Sequence, residues 1–91
     1  MQSANEKTLQ LNKSYGSLVK KLRLKHTNFS VNKLAESYDI ARGNLSKIEN
    51  GYNDPKLSTM WKISEAVGLK FSEIVRMLEE ELGDDFKLID E

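Results

Sequence analysis

Large apolar residues are sparse over the first thirteen positions, where only Leu9 and Leu11 stand out. From Tyr15 the pattern turns helical: Tyr15, Leu18, Val19 and Leu22 follow the i, i+3, i+4, i+7 spacing of one buried face. Ser14 is placed to cap that helix and the polar run His26-Thr27-Asn28 to end it, so residues 1–13 are expected to be a flexible arm or a weak helical turn. Ser30 predicts a second N-cap, followed by inward-facing Leu34, Ala35 and Tyr38. Leu45 and Ile48 mark the inner face of a third helix, which Gly51 closes in the left-handed conformation helix ends favour. Asn53-Asp54-Pro55 reads as a loop. A fourth helix carries Leu57, Met60, Ile63 and Val67 on one stripe and stops at Gly68. The fifth runs from about Phe71 to about Leu82, before Gly83. Nothing alternates with the period of two that a strand needs. The expected architecture is all-α, a compact five-helix domain over residues 14–82 with a tail at 83–91.

The segment 31–50 carries more information than its neighbours. Apolar residues fall at its fourth, eighth, tenth, fifteenth and eighteenth places: Leu34, Tyr38, Ile40, Leu45 and Ile48. Small Ala35 stands where two helices joined by a short turn approach most closely. Asp39, at the turn, tolerates a left-handed backbone better than most residues with a β-carbon. Two helices joined this way form a helix-turn-helix, the second helix running from about Arg42 to Asn50. Ala41, Arg42, Gly43, Asn44, Ser46 and Lys47 are left facing outward, on a helix that fits a major groove about 12 Å wide.

From Tyr15 to Val75 the chain resembles the lambda-repressor-like regulators, the phage Cro and repressor type also called XRE-type. The most specific stretch is Leu45-Ser46-Lys47-Ile48-Glu49-Asn50-Gly51-Tyr52-Asn53-Asp54-Pro55. Lys62-Ile63-Ser64-Glu65-Ala66-Val67-Gly68-Leu69 resembles the helix that follows and its stop. The resemblance implies a lambda-repressor-like DNA-binding domain in which Arg42, Gly43 and Lys47 reach base edges, with Asn44 and Ser46 beside them. It implies that Tyr52, Asn53 and Lys56 lie along phosphates, and that Arg23 at the end of the first helix pairs with Glu49. Three departures stand out. Val31 replaces the family's usual glutamine, so the backbone contact there is either lost or supplied by Ser30, Asn32 or Lys33. Ala41 replaces the hydroxyl cap of the recognition helix, and Gly43 weakens its first turn by about 1 kcal/mol. The loop Lys25–Phe29 is one residue longer than the common pattern.

Charge changes this picture by being unevenly placed. The formal net charge is zero, but residues 1–70 carry 12 Lys/Arg against 6 Asp/Glu, and residues 71–91 carry 2 against 8. A DNA-facing surface of the basic part would feel mainly its own charges, because salt screens beyond about 8–10 Å. The 91 residues contain no cysteine and one histidine, His26, so no cofactor, thiolate site or metal cluster is expected. No enzyme is expected either, since nucleophile, base and oxyanion donors do not converge and no glycine loop cradles phosphate. Met1 to Glu6 has no basic stretch leading into an apolar one, and no apolar run would span a bilayer, so we expect a cytoplasmic protein.

Phe71, Val75, Leu78 and Leu82 form a heptad-like seam on the fifth helix. With Trp61 and Leu69 they are the expected interface of a homodimer on a two-fold symmetric operator. The acidic tail mixes carboxylates with Phe86, Leu88 and Ile89, and could pack on the domain, dock a protein partner or remain disordered. Two functions stay open: a sequence-specific transcriptional regulator of double-stranded DNA, and an antitoxin-like autoregulator whose tail covers a partner.

Overall fold

The structure is a computed structural model that describes residues 2–89; Met1 of the expected arm and Asp90 and Glu91 of the tail lie outside the described residues. It holds five helices, α1 Gln2–His26, α2 Val31–Ser37, α3 Asn44–Glu49, α4 Leu57–Val67 and α5 Phe71–Leu82, and no strand among the described residues. α1 crosses α3 and also packs on α4 and α5, while α2 packs on α3 and α4 on α5. At 1.5 Å per residue α1 is about 37 Å long and sets most of the 42 Å long axis.

The first helix corrects the expected arm. It starts at Gln2 rather than at Ser14, and Ser14 lies half-buried inside it. Residues 6–13 contain neither Gly nor Pro, and Glu, Lys, Leu and Gln are good helix formers. Leu11 also stands four residues before Tyr15, extending the buried stripe by one turn. The pair Leu9 and Leu11, two apart, hides this periodicity in the sequence. Leu9 is exposed and Leu11 half-buried.

The core contains Tyr15, Leu18, Val19, Leu22, Leu34, Ala35, Ile40, Leu45, Ile48, Ile63, Val67 and Ile74. Tyr38 and Met60 pack at its edge. Leu57 is not part of it: it opens α4 and is 66% exposed. Leu57 and Trp61, four residues apart, are both exposed and so share the helix's outer side.

Tyr15 is buried, and its hydroxyl has no hydrogen-bond partner among the described residues. Burial pushes its phenol above the ordinary value of about 10. Above roughly that pH the unfolded chain ionises first and holds fewer protons than the fold, so stability falls as pH rises. At neutral pH both states keep the proton and Tyr15 adds no pH dependence. Denaturation midpoints between about pH 9 and 11 should therefore decline, and Tyr15→Phe should flatten part of that decline.

Candidate nucleic-acid interface

The Ser30 hydroxyl caps α2, accepting from the Lys33 backbone N–H at 3.1 Å. α2 ends at Tyr38, and Asp39 takes φ 56°, the left-handed turn expected of it. The chain re-enters the core at Ile40, whose N–H donates to the Ala35 carbonyl at 2.8 Å. A distant residue closes this turn: Lys62 of α4 donates to the Asp39 carbonyl at 2.8 Å, with its ammonium 3.6 Å from the Asp39 carboxylate. The Asp39 side chain is exposed, so its charge adds little to the backbone bond.

The second helix of the motif is shorter than expected. It spans Asn44–Glu49, and Ala41 to Gly43 form a turn in which the Asn44 N–H donates to the Ala41 carbonyl at 3.0 Å. Gly43 is the N-cap at φ 82°, outside the helical region, and no side chain caps the helix. A β-carbon on Gly43 would meet nothing within 4 Å, so its backbone angle is the reason for glycine there. At the other end Gly51 takes φ 77° and its N–H donates to the Ile48 carbonyl at 3.0 Å.

α3 buries Leu45, Ile48 and Glu49 and turns Ser46 and Lys47 to solvent. Arg42 and Gly43 are exposed just before it. Open grooves flank this segment. One, of about 510 Å³, is lined by Asn32, Lys33, Glu36 and Arg42. The other, of about 550 Å³, is lined by Asn44, Asn53, Lys56 and Lys62 among others. The expected backbone contacts Asn32, Lys33, Tyr52 and Lys56 are thus exposed around α3. Asn53 is instead half-buried, its side-chain amide donating to Asn44 Oδ1. Sequence reasoning placed these two asparagines in separate roles and gave no sign that they meet.

Arg23 and Glu49 do meet, and both are buried. Arg23 Nε lies 2.8 Å from Glu49 Oε2 and Nη2 3.1 Å from Oε1, a two-pronged pair. Nη1 donates to the Phe29 carbonyl at 3.0 Å, so one guanidinium ties together α1, the loop before α2, and α3. Thr27 shapes that loop: its hydroxyl donates to the Arg23 carbonyl and accepts from the Phe29 N–H. The hydrogen bond with Glu49 raises the Arg23 pKa, burial opposes it and the Glu49 charge adds to it. Arg23 stays charged at any working pH.

Gly16 was not singled out by the sequence pattern, yet it lies where α1 crosses the end of α3. A β-carbon there would run into the Ile48 carbonyl oxygen and sit 2.9 Å from that of Glu49. A lone glycine inside a helical pattern was the available signal.

On the far side, Trp61 is 53% exposed and stacks on Phe71 with ring centroids 5.4 Å apart. Leu69, Phe71, Val75, Leu78 and Leu82 are half-buried. Leu78 and Leu82 share a groove of about 560 Å³ with Leu11, Phe86, Leu88 and Ile89, so the tail runs beside this end of the seam. Among the described residues no group of His, Cys, Asp and Glu could hold a metal, and no helix is long and apolar enough to cross a membrane.

The helix-turn-helix family model matches residues 19–74, from within α1 to the start of α5. The chain is 36% identical over 67 residues to control protein C.MunI of a Mycoplasma species, covering 74% of this chain and 90% of that protein. It is 38% identical over 56 residues to control protein C.BamHI of Bacillus amyloliquefaciens, covering 62% of this chain and 69% of that protein.

Proposed function

The chain belongs to the helix-turn-helix family, and on that premise we propose that it is a sequence-specific transcriptional regulator that lays α3 in the major groove of duplex DNA. The observation that carries the reading is the division of α3, with Leu45, Ile48 and Glu49 locked inward and Ser46 and Lys47 outward, next to exposed Arg42 and Gly43. The control proteins it resembles bear names that fit regulation. Arg42 suits the paired acceptors of guanine, O6 and N7, worth about 1–3 kcal/mol of discrimination. Gly43, with no side chain, lets the backbone come close to the bases. Lys47, Ser46 and Asn44 complete the reading face. Ser30, Asn32, Lys33, Tyr52, Asn53 and Lys56 set register on phosphates without reading sequence.

The regulator acts as a homodimer, its recognition helices about 34–36 Å apart on successive major grooves of a two-fold symmetric operator. Exposed Trp61, stacked on Phe71, supports that surface, and Leu57 extends it beyond the residues Leu69, Val75, Leu78 and Leu82. The alternative, a tail that binds a protein partner, draws on exposed Leu88 and Ile89 beside Asp84 and Asp85.

Selection from a pool of random duplexes tests the main reading: a two-fold symmetric enriched site is expected, and no enriched site would overturn it. Arg42→Ala should relax preference at one base pair per half-site. Lys56→Ala should weaken all sequences alike and reduce the salt slope by about one.

A further inference from the structure

α3 is six residues long, about 9 Å from end to end. The loop after its C-terminus can therefore fold back to its N-terminus. That loop is tied to the helix, since the Tyr52 N–H donates to the Lys47 carbonyl at 2.9 Å and the Gly51 N–H to the Ile48 carbonyl at 3.0 Å. Asn53, nine residues after Asn44, uses this path: its side-chain Nδ2 donates to Asn44 Oδ1, and the contact is partly buried. Asn44 is the first residue of α3, preceded by a left-handed glycine and served by no side-chain cap.

We propose that Asn53 is a positioning residue that sets which base Asn44 prefers. This rests on the reading of α3 as the groove-facing helix. A free asparagine pairs with adenine through both ends of its amide, accepting from N6 and donating to N7. With one lone pair of Oδ1 taken by Asn53 and the amide plane held, Nδ2 is the end of the Asn44 amide left free for a base. It then favours base edges rich in acceptors, guanine O6 and N7 or thymine O4, over adenine. Asn53 thereby couples a loop expected to lie along the phosphates to the reading of one base pair.

The test is selection from random duplexes with the full chain carrying Asn53, Asn53→Ala or Asn53→Asp. The readout is the ranking of bases at each position, not the affinity. An unfolded fraction, or a lost phosphate contact, lowers binding to every sequence alike and leaves the ranking unchanged. For the unaltered protein a guanine or thymine preference is expected at one position of each half-site. Asn53→Ala frees the amide, and adenine should rise there by roughly two- to tenfold, the range of one hydrogen bond. Asn53→Asp can only accept, so Asn44 must turn its Nδ2 toward the carboxylate and present Oδ1 to the groove. The preference should then move to the donor-bearing bases adenine and cytosine. If the unaltered protein enriches a site and both variants rank bases as it does, the positioning role is overturned while the regulator reading stands. If no site is enriched by any of the three, the regulator reading fails and this inference with it.

Discussion

Alanine in place of either Arg23 or Glu49 is expected to destabilise the protein by about 3–5 kcal/mol, because the remaining partner becomes a buried charge with nothing to neutralise it. A domain of this size has about 5–14 kcal/mol of stability in total. A large fall in the urea midpoint is the expected measurement for both single variants. Arg23 also bonds the Phe29 carbonyl, so losing the guanidinium leaves that acceptor without its donor as well. Replacing both charges with apolar residues of similar size, Arg23→Met with Glu49→Leu, should recover much of the loss, since desolvation of the pair is then no longer needed. The double variant separates folding from orientation. It should be stably folded yet bind DNA more weakly, because the two-pronged tie between α1 and α3 is gone. Single variants with unchanged midpoints would mean that Leu45 and Ile48 alone hold α3. Arg23 does not titrate in the working range, so no switch in DNA binding near neutral pH should arise from this pair.

Gly16→Ala is the second large effect, and its sign is the informative part. In an open helix interior, alanine in place of glycine stabilises by up to about 1 kcal/mol. Here the new methyl group would strike backbone rather than a flexible side chain: the carbonyls of Ile48 and Glu49. Backbone at the end of a packed helix cannot yield without moving α3, and overpacking of this kind costs about 1–3 kcal/mol. A net loss is expected, seen as a melting temperature lower by roughly 4–8 °C for each kcal/mol. A higher melting temperature would show that α1 and α3 stand farther apart than the crossing at Gly16 implies. Gly51, on the other side of the same crossing, is confined by the side chain of Lys13 and by its own positive φ.

Much of the fold was legible because its signals are local. The apolar stripes placed α2 through α5 close to their observed bounds, and Ser30, Asp39, Gly51 and Gly68 marked caps and turns through backbone preferences that need no neighbour. The Arg23–Glu49 pair came from resemblance, since nothing local links residues 26 apart. Two errors also have local causes. The N-terminal part of α1 lacks a full apolar stripe, although its residues favour helix and Leu11 continues the face of Tyr15. The spacing also predicts a start near Arg42 rather than Asn44, because outward-facing side chains do not show that Gly43 sits at φ 82°.

For the site, periodicity left Arg42, Gly43, Asn44, Ser46 and Lys47 facing outward, the resemblance implied that they lie at base edges, and chemistry suggested their partners on DNA. It did not reveal what restrains them. Lys62 reaching the Asp39 carbonyl and Asn53 reaching Asn44 depend on where α4 and the loop after α3 come to lie.

The recognition helix shows the division most plainly. The amino-acid sequence by itself determined that a short helix would follow a left-handed turn at Asp39, bury Leu45 and Ile48, and stop at Gly51. Those outcomes follow from side-chain periodicity and single-residue backbone energies. Only the tertiary structure decided that α3 begins at Asn44, that Gly16 must be bare to admit it, that Asn53 holds its first residue, and that Arg23 also ties in the Phe29 carbonyl. Those outcomes require atoms from distant segments to converge within a few ångströms, and periodicity tells which face is buried but not what meets it there.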